Sequence, residues 1–218
     1  AEEKVMKGRK LLIREIERTR NEIGSAVNER LKKFEKNRDL DEEEIFLELC
    51  FCILVANNSI ERAQEAWKRI GRGFLRLPPR ELGKRLKECG VRFYNRRAEF
   101  IVDARKKRAE LVKIIREKRD ENNIREWLVK NIKGIGWKEA SHFLRNLGFK
   151  NFALLDRHVL KVLKAYGIVE EIDSGGLSKG RYMSVEKTLR SIAAELNMSL
   201  AELDMYLFYL DAKRVCER

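Results

Sequence analysis

The sequence predicts an all-α fold. Apolar residues recur at the three- and four-residue spacing of a helix face in one segment after another, and capping residues stand where helices would begin. No stretch alternates apolar and polar residues for long enough to form a strand. With no internal repeat and no low-complexity linker, residues 1–218 are expected to form a single unit.

The predicted helices follow one another through short connections. They cover residues 2–36, 41–56, 60–70, 80–89, 93–118, 124–131, 137–147, 154–166, 185–196 and 199–212. A break is expected in the first helix at Gly24 and Ser25, because both residue types weaken a helix interior. A basic loop is expected over residues 175–180, before the last two helices.

Start signals are clearest in the first half of the chain. Asp41 is a good N-cap, and the acidic residues 42–44 that follow it suit the positive end of a helix dipole. Residues 45–56 form the most apolar predicted helix and are expected to be the core. Ser59 caps the next helix, and the prolines at 78 and 79 open the one after it.

The charge balance points to an acidic polymer as partner. Lys and Arg outnumber Asp and Glu by 48 to 35, which gives a formal net charge of +13 spread along the chain. A thermophilic protein's charge-rich surface is the alternative, since 38% of the residues are charged. Enrichment in Lys and Glu alone would leave the net charge near zero, so the excess favours a nucleic acid.

The cysteines predict neither a disulfide framework nor a metal site. Cys50, Cys52, Cys89 and Cys216 form no Cys-x-x-Cys pair and no Cys/His cluster, so zinc, an iron–sulfur cluster or another cofactor is not expected. No apolar run resembles a signal peptide or is long enough to cross a bilayer. We therefore expect a cytoplasmic protein without a membrane partner.

A short glycine turn joins two of the predicted helices, at about residues 124–147. Gly134 and Gly136 let the backbone approach a phosphate closely, and the N–H groups at the next helix start can hold its charge. Such a turn binds a nucleic-acid backbone without reading sequence. The alternative is a plain turn between helices, since a Gly-x-Gly pattern is a weak signal by itself.

Lys138 and Asp156 are the candidate catalytic residues. Lys138 stands at a helix start, where the helix dipole and partial burial favour the neutral amine, which is the nucleophilic form. The alternative is a lysine that only contacts phosphate. Asp156 opens the next predicted helix after an apolar run, so it is also a natural N-cap, which does not exclude catalysis.

These segments carry a family resemblance. The relevant stretches are NIKGIGWKEASHFLRN (131–146), LDRH (155–158), ELCFCILVAN (48–57), RFYNRRAEF (92–100) and LDMYLFY (203–209). Together they closely resemble the helix–hairpin–helix, Gly/Pro-rich-loop and Asp superfamily of DNA glycosylases. The resemblance is greatest to its archaeal-type (type 2) 8-oxoguanine DNA glycosylase/AP lyases. It extends from about residue 40 to the end of the chain.

The resemblance implies a fold and a chemistry. It implies two helical lobes with a DNA-binding cleft between them, double-stranded DNA containing oxidised guanine as partner, and a monomeric enzyme. The family's nucleophilic lysine falls on Lys138 and its catalytic aspartate on Asp156. The implied reaction extrudes the damaged nucleotide, forms a Schiff base at the sugar and cuts the strand by β-elimination.

Further site residues follow from the same resemblance. His158 matches a position that touches backbone phosphate, and Asn57 the residue that enters the duplex. Phe93 and Phe208 match aromatic positions at the lesion base, although related proteins commonly carry tryptophan at the second. Arg218 would contribute its backbone carboxylate to base recognition. For His158 a packing role, and for Asn57 a helix stop, are the alternatives.

Two other functions remain open from the sequence. A non-catalytic helix–hairpin–helix DNA-binding module would have the charge and the hairpin without needing Lys138 and Asp156 together. A glycosylase for another damaged base would keep both residues and differ in the recognition positions.

Overall fold

The computed structural model describes residues 2–117, 120–170 and 176–218, and within them it is built from α-helices without any strand. The all-α prediction is confirmed. The helices are α1 (Glu2–Lys36), α2 (Glu42–Val55), α3 (Ile60–Ile70), α4 (Pro79–Glu88), α5 (Tyr94–Arg105), α6 (Arg108–Arg116), α7 (Glu121–Asn131), α8 (Trp137–Asn146), α9 (Arg157–Ala165), α10 (Lys179–Glu195) and α11 (Leu200–Ala212). Among the described residues, none of these helices has the length and apolar character needed to span a bilayer.

The chain divides into two compact helical units. One consists of residues 37–147 and contains α2 to α8. The other combines residues 1–36 with residues 148–218, so that α1 packs with α9, α10 and α11. The first unit is therefore inserted, in chain order, between the two segments of the second.

In the unit of residues 37–147, α2 is the central helix. Its capping box joins Asp41 and Glu44: Glu44 N–H donates to the Asp41 carboxylate at 2.9 Å, and Asp41 N–H to the Glu44 carboxylate at 3.0 Å. Nine of the ten residues of α2 from Ile45 to Leu54 are buried, so buried side chains occupy every face of this helix. A helix without a polar face belongs in a core, as the sequence predicted.

In the other unit, α1 is a single helix of 35 residues, so the predicted break at Gly24 and Ser25 is wrong. A Cβ at Gly24 would lie 3.4 Å from the Tyr206 hydroxyl, an ordinary van der Waals distance, so α1 packs against α11 at this point. Arg20 also donates to the Leu196 carbonyl oxygen at 3.2 Å. Tertiary packing of this kind outweighs the small helix penalty of glycine.

The predicted helix over residues 93–118 is two helices, α5 and α6. At the junction, the N–H groups of Lys106 and Lys107 donate to carbonyls only three residues earlier, so the helix tightens and ends. On the two sides of the junction, Arg105 donates to the carbonyls of Phe74 and Leu77, and Arg108 pairs with Glu42 at 2.7 Å.

The predicted loop over residues 175–180 and the predicted helix from residue 185 also need correction. Helix α10 begins at Lys179, because the Ser178 hydroxyl caps it by accepting from the Arg181 N–H at 3.3 Å. Lys179 and Gly180 therefore lie in a helix. Gly175 lies outside the described residues.

Candidate functional site: a glycine hairpin with a lysine and a capped aspartate

The turn between α7 and α8 forms the predicted hairpin. The Ile135 N–H donates to the Ile132 carbonyl at 3.3 Å, and Gly134 between them has φ +84°. This positive φ is the value that the third residue of a type II turn requires. A Cβ at Gly134 would also lie 2.6 Å from the Phe100 ring, so both backbone and packing require glycine at this position.

Gly136 contributes differently from what the sequence suggested. Its backbone is extended, and its N–H donates to the Glu139 carboxylate at 3.1 Å, which caps the start of α8. This N–H is thus already engaged within the chain. A phosphate at the hairpin would use other amide groups, and Gly136 would serve through its small size.

Lys138 is the second residue of α8. Its side chain is 37% exposed, so the amine can reach a ligand at the surface of its unit. The Nζ atom lies 3.6 Å from a Glu139 carboxylate oxygen, and Glu139 itself is 14% exposed. The hairpin therefore presents an accessible amine immediately after the turn, beside a carboxylate that is fixed by its cap.

Asp156, in the other unit, is the N-cap of α9. Its side chain accepts a hydrogen bond from the Val159 N–H at 2.9 Å, and the side chain is half-buried. The predicted capping role is confirmed. One carboxylate oxygen is used in this cap, and a carboxylate has acceptor positions left for a substrate or an amine.

The segment before Asp156 is buried and belongs to no helix, and side chains from distant helices bind its backbone. The Ala153 N–H donates to Glu186 at 3.0 Å, and the Leu154 N–H donates to Asp204 at 3.2 Å. The Tyr182 hydroxyl accepts from the Leu155 N–H at 3.3 Å and donates to the Ala153 carbonyl. These three buried side chains provide hydrogen-bond partners for the backbone of this segment, as a neighbouring strand does in a sheet.

The support of this segment was not predicted, although the sequence contains a signal for it. Glu186 and Asp204 are carboxylates among apolar residues of α10 and α11, and both are buried. A carboxylate on an apolar helix face requires a buried donor. The pattern thus predicts a partner, but not which backbone amides supply it.

His158, Asp211 and Phe208 form one cluster on α9 and α11. The His158 Nδ1 atom lies 2.7 Å from an Asp211 oxygen, and the two rings of His158 and Phe208 meet edge to face with centroids 4.9 Å apart. Because a carboxylate only accepts, Nδ1 carries the proton of this hydrogen bond. The other ring nitrogen, Nε2, takes no part in the bond to Asp211. The predicted contact of His158 with a backbone phosphate would need a proton on Nε2 as well, and it stays a prediction.

Asp211 is held ionised by two neighbours. Lys161 donates to its other oxygen at 2.7 Å, and these bonds from Lys161 and His158 lower the pKa of Asp211 below its ordinary value of 3.8. Asp211 was not predicted, and it lies three residues after Phe208 on the same helix.

Asn57 and Phe93 lie in the unit of residues 37–147, and both are exposed. Phe93 is 61% exposed, which is unusual for a large apolar ring, and its backbone is left-handed at φ +54°. Asn57 follows the end of α2 with φ +53°. In the next residue, the side-chain nitrogen and oxygen of Asn58 are buried and have no hydrogen-bond partner among the described residues.

The C-terminal tail belongs to the same unit as Asp156. The Arg30 guanidinium of α1 donates to the Glu217 carbonyl at 2.9 Å, and the Cys216 thiol donates to the Arg218 carbonyl at 3.3 Å. Arg218 is half-buried, and Arg214 stacks its guanidinium 5.7 Å from the centre of the Phe208 ring.

The cysteines are free thiols, and Cys50, Cys52 and Cys216 are buried. Burial raises the pKa of the Cys50 thiol, which favours the neutral form over the thiolate that metals bind. In the part of the chain that the structure describes, no three His, Cys, Asp or Glu side chains are grouped so as to hold a metal ion.

Comparison with known proteins identifies relatives along nearly the whole chain. A family model described as 8-oxoguanine DNA glycosylase matches residues 27–198. The 8-oxoguanine DNA glycosylase/AP lyase of Methanocaldococcus jannaschii is 45% identical over 206 residues, which are 94% of this chain and 99% of that protein. The protein of the same name from Thermotoga maritima is 46% identical over 200 residues, which are 91% of this chain and 95% of that protein.

Solved structures agree with these sequence relatives. The Methanocaldococcus jannaschii 8-oxoguanine glycosylase/lyase in complex with a 15mer DNA containing 8-oxoguanine matches with a TM-score of 0.90 and 44% identity. The match covers 94% of this chain and 99% of that chain. The 8-oxoguanine DNA glycosylase of Thermotoga maritima matches with a TM-score of 0.87 and 45% identity, over 95% and 99% of the two chains. The hairpin, the lysine and the capped aspartate agree with these matches, and the chain belongs to the 8-oxoguanine DNA glycosylase family.

Proposed function

We propose that the protein is a bifunctional DNA repair enzyme that removes 8-oxoguanine from double-stranded DNA and then cuts the strand as an AP lyase. The observation that carries the proposal is the position of Lys138, an accessible amine in the first turn of α8 directly after the glycine hairpin. The relatives named 8-oxoguanine DNA glycosylase/AP lyase supply the lesion and the two activities.

In the proposed first step, the neutral Lys138 amine attacks C1′ of a nucleotide that has been rotated out of the duplex. The N-glycosidic bond breaks, and its electron pair leaves with the base, which takes up a proton. A proton passes from Nζ to the ring oxygen as the sugar ring opens, and a Schiff base forms between Nζ and C1′. Asp156 stabilises the positive charge that develops on the sugar.

The second step cuts the DNA. The Schiff base withdraws electrons and makes the C2′ proton acidic. Removal of that proton forms the C2′–C3′ double bond and breaks the bond between C3′ and the 3′ phosphate, which leaves. Water then releases Lys138 from C1′. This proposal requires Lys138 and Asp156, which belong to different units, to act on the same nucleotide.

The remaining assignments follow from the same proposal. Gly134, Gly136 and His158 contact the DNA backbone, Asn57 enters the duplex, and Phe93 and Phe208 contact the lesion base. We further propose that the enzyme acts as a monomer in the cytoplasm, where prokaryotic DNA lies; the relatives come from bacteria and archaea.

Borohydride trapping tests this proposal directly, because reduction of the Schiff base leaves Lys138 covalently joined to DNA. Wild-type protein should give an adduct with duplexes that contain 8-oxoguanine, and Lys138→Gln should give none while it still binds the duplex. A panel of other damaged bases in the same sequence reports which lesion is excised. A non-catalytic DNA-binding module would give no adduct with any of them.

Lys133→Gln is the matched control, since Lys133 is another lysine of the hairpin, 69% exposed and 3.7 Å from Asp103. This variant loses the same charge and should keep the adduct. Wild-type trapping by Lys138→Gln would disprove the assigned nucleophile, and equal trapping on several unrelated lesions would disprove the preference for 8-oxoguanine.

A further inference from the structure

Asn57 and Phe93 combine two properties, as Asn197 and Lys213 also do in the other unit. Each exposes its side chain, and each has a positive φ, +53° for Asn57 and +54° for Phe93. A residue with a Cβ in this conformation is strained and persists only when its surroundings fix the backbone. Each of these two backbones therefore needs contacts that hold it in this conformation.

One side chain binds both. Arg97, in the first turns of α5, is 6% exposed, and its guanidinium donates to the carbonyls of Ile53 and Ala56 at the end of α2. The same group donates through Nε to the Arg92 carbonyl at 2.7 Å. Three backbone carbonyls from two chain segments thus converge on one buried cation.

At Asn57, Arg97 binds the peptide that determines the turn type. The Asn58 N–H donates to the Val55 carbonyl at 3.0 Å, and Ala56 has φ −53° and ψ +118°, so the four residues form a type II turn with Asn57 third. A type I turn differs by a flip of the peptide between Ala56 and Asn57. Because Arg97 binds the carbonyl of that peptide, it opposes the flip and holds Asn57 at positive φ.

At Phe93, Arg97 binds the peptides on both sides of the residue. Its guanidinium holds the Arg92 carbonyl, and its own backbone N–H donates to the Phe93 carbonyl at 3.0 Å. These two peptide planes define φ and ψ of Phe93. The backbone of Phe93 is therefore held on one side by the Arg97 guanidinium and on the other by the first backbone hydrogen bond of α5.

We infer that Arg97 is a positioning residue that holds Asn57 and Phe93 in one arrangement for binding damaged DNA, so that neither side chain moves independently of the other. This inference rests on the proposed function, which assigns Asn57 to the duplex and Phe93 to the lesion base. It adds a residue that touches neither and couples the two.

Only arginine supplies this geometry. Its planar group offers five donors and keeps its charge when buried, whereas a lysine ammonium has no fixed fork. Burial lowers the pKa of Arg97, and the nearby Glu139 carboxylate opposes that shift and favours the cation.

The first experiment compares two activities in Arg97→Lys. Single-turnover excision of 8-oxoguanine needs both positioned side chains, whereas trapping on a ready-made abasic site needs Lys138 and no base recognition. Excision should fall about 100-fold, as expected for a displacement of about 1 Å, and trapping on the abasic site should fall much less. A loss of the same size in both activities would overturn the inference.

Arg105→Lys is the matched control. Arg105 lies on the same helix, and it also donates to two backbone carbonyls, those of Phe74 and Leu77, each at 2.8 Å. Its partners are not proposed to contact DNA, so this variant should lose stability without a selective loss of excision. A selective loss in Arg105→Lys equal to that in Arg97→Lys would overturn the inference.

A second measurement leaves Arg97 in place and does not depend on the folding of Arg97→Lys. Asn57→Gly removes the side chain but suits the positive φ, whereas Asn57→Ala also strains the turn and should disturb Phe93 through Arg97. Excision by Asn57→Ala should therefore be about tenfold slower than by Asn57→Gly, and this difference should disappear when Phe93→Ala is added. A difference that persists with Phe93→Ala, or none at all, would overturn the inference.

Failure of this inference is distinguishable from failure of the proposed function. If wild-type protein does not excise 8-oxoguanine, the proposed function is wrong. If wild-type protein excises the lesion and the variants above show no selective loss, only the role of Arg97 is wrong.

Discussion

The two candidate catalytic side chains are held in place by different kinds of structure. Lys138 depends mainly on neighbours in sequence, which are a glycine turn just before it and a cap from the next residue, Glu139. The close approach of Gly134 to the Phe100 ring is its one more distant support. Asp156 follows a segment whose amides are bound by side chains that lie 27 to 50 residues further along the chain. A short motif can encode the first arrangement, whereas the second exists only after the whole unit has folded.

This contrast is tested most severely at Gly134. Gly134→Ala should destabilise the protein by about 3 kcal/mol, because an alanine would be strained at positive φ and its Cβ would overlap the Phe100 ring. Urea denaturation of the full chain measures this loss. Gly90→Ala is the control, since Gly90 has φ +72° but nothing within 4 Å of a Cβ, and it should cost only about 1 kcal/mol. Equal losses would show that packing against Phe100 does not define the hairpin.

A smaller effect is expected at Asp204, which tests the long-range support of Asp156. Asp204→Ala leaves the buried Leu154 N–H without its acceptor and should cost about 2 kcal/mol. Hydrogen exchange of residues 152–155 should accelerate, as measured on peptides from the intact protein. Glu195→Ala, which removes an exposed carboxylate paired with Arg9, should change neither quantity appreciably. Unchanged exchange in Asp204→Ala would mean that local sequence holds this segment as well.

The smallest effect concerns Asp211 and its dependence on pH. Because the folded-state pKa of Asp211 lies below 3.8, its ionised form stabilises the fold above that value, and the contribution is lost as the pH falls through the folded-state pKa. The stability difference between wild type and Asp211→Asn should therefore be fully present above about pH 5 and should shrink as the pH falls below 3.8. A difference that grows on acidification would contradict the pairing with Lys161 and His158.

Sequence patterns predicted the local features of this protein well. Helix starts with a side-chain cap, such as those at Asp41 and Ser59, lie where the capping signals placed them. For α9 the capping signal at Asp156 gave the correct start, whereas the apolar spacing over residues 154–166 placed the start too early. The all-α fold, the hairpin between α7 and α8 and the family were likewise predicted correctly. Each of these depends on residues within one or two helical turns, or on long runs of matching sequence.

Features that depend on distant contacts were not predictable. Helix α1 continues through Gly24 where it packs against α11, and the division between α5 and α6 lies within a segment whose apolar spacing suggests one helix. Glu186, Asp204 and Tyr182 bind amides that no local pattern identifies. The same holds for Arg97, since three carbonyl acceptors carry no sequence signature at all.

The order of segments in the chain also has a consequence for synthesis on the ribosome. Helix α1 is synthesised before the unit of residues 37–147, whereas its partners α9 to α11 are synthesised after that unit. At a synthesis rate of about 5–20 residues per second, the apolar face of α1 remains without these partners for a time on the order of ten seconds. The unit that carries Lys138 can therefore fold before synthesis of the unit that carries Asp156 is complete.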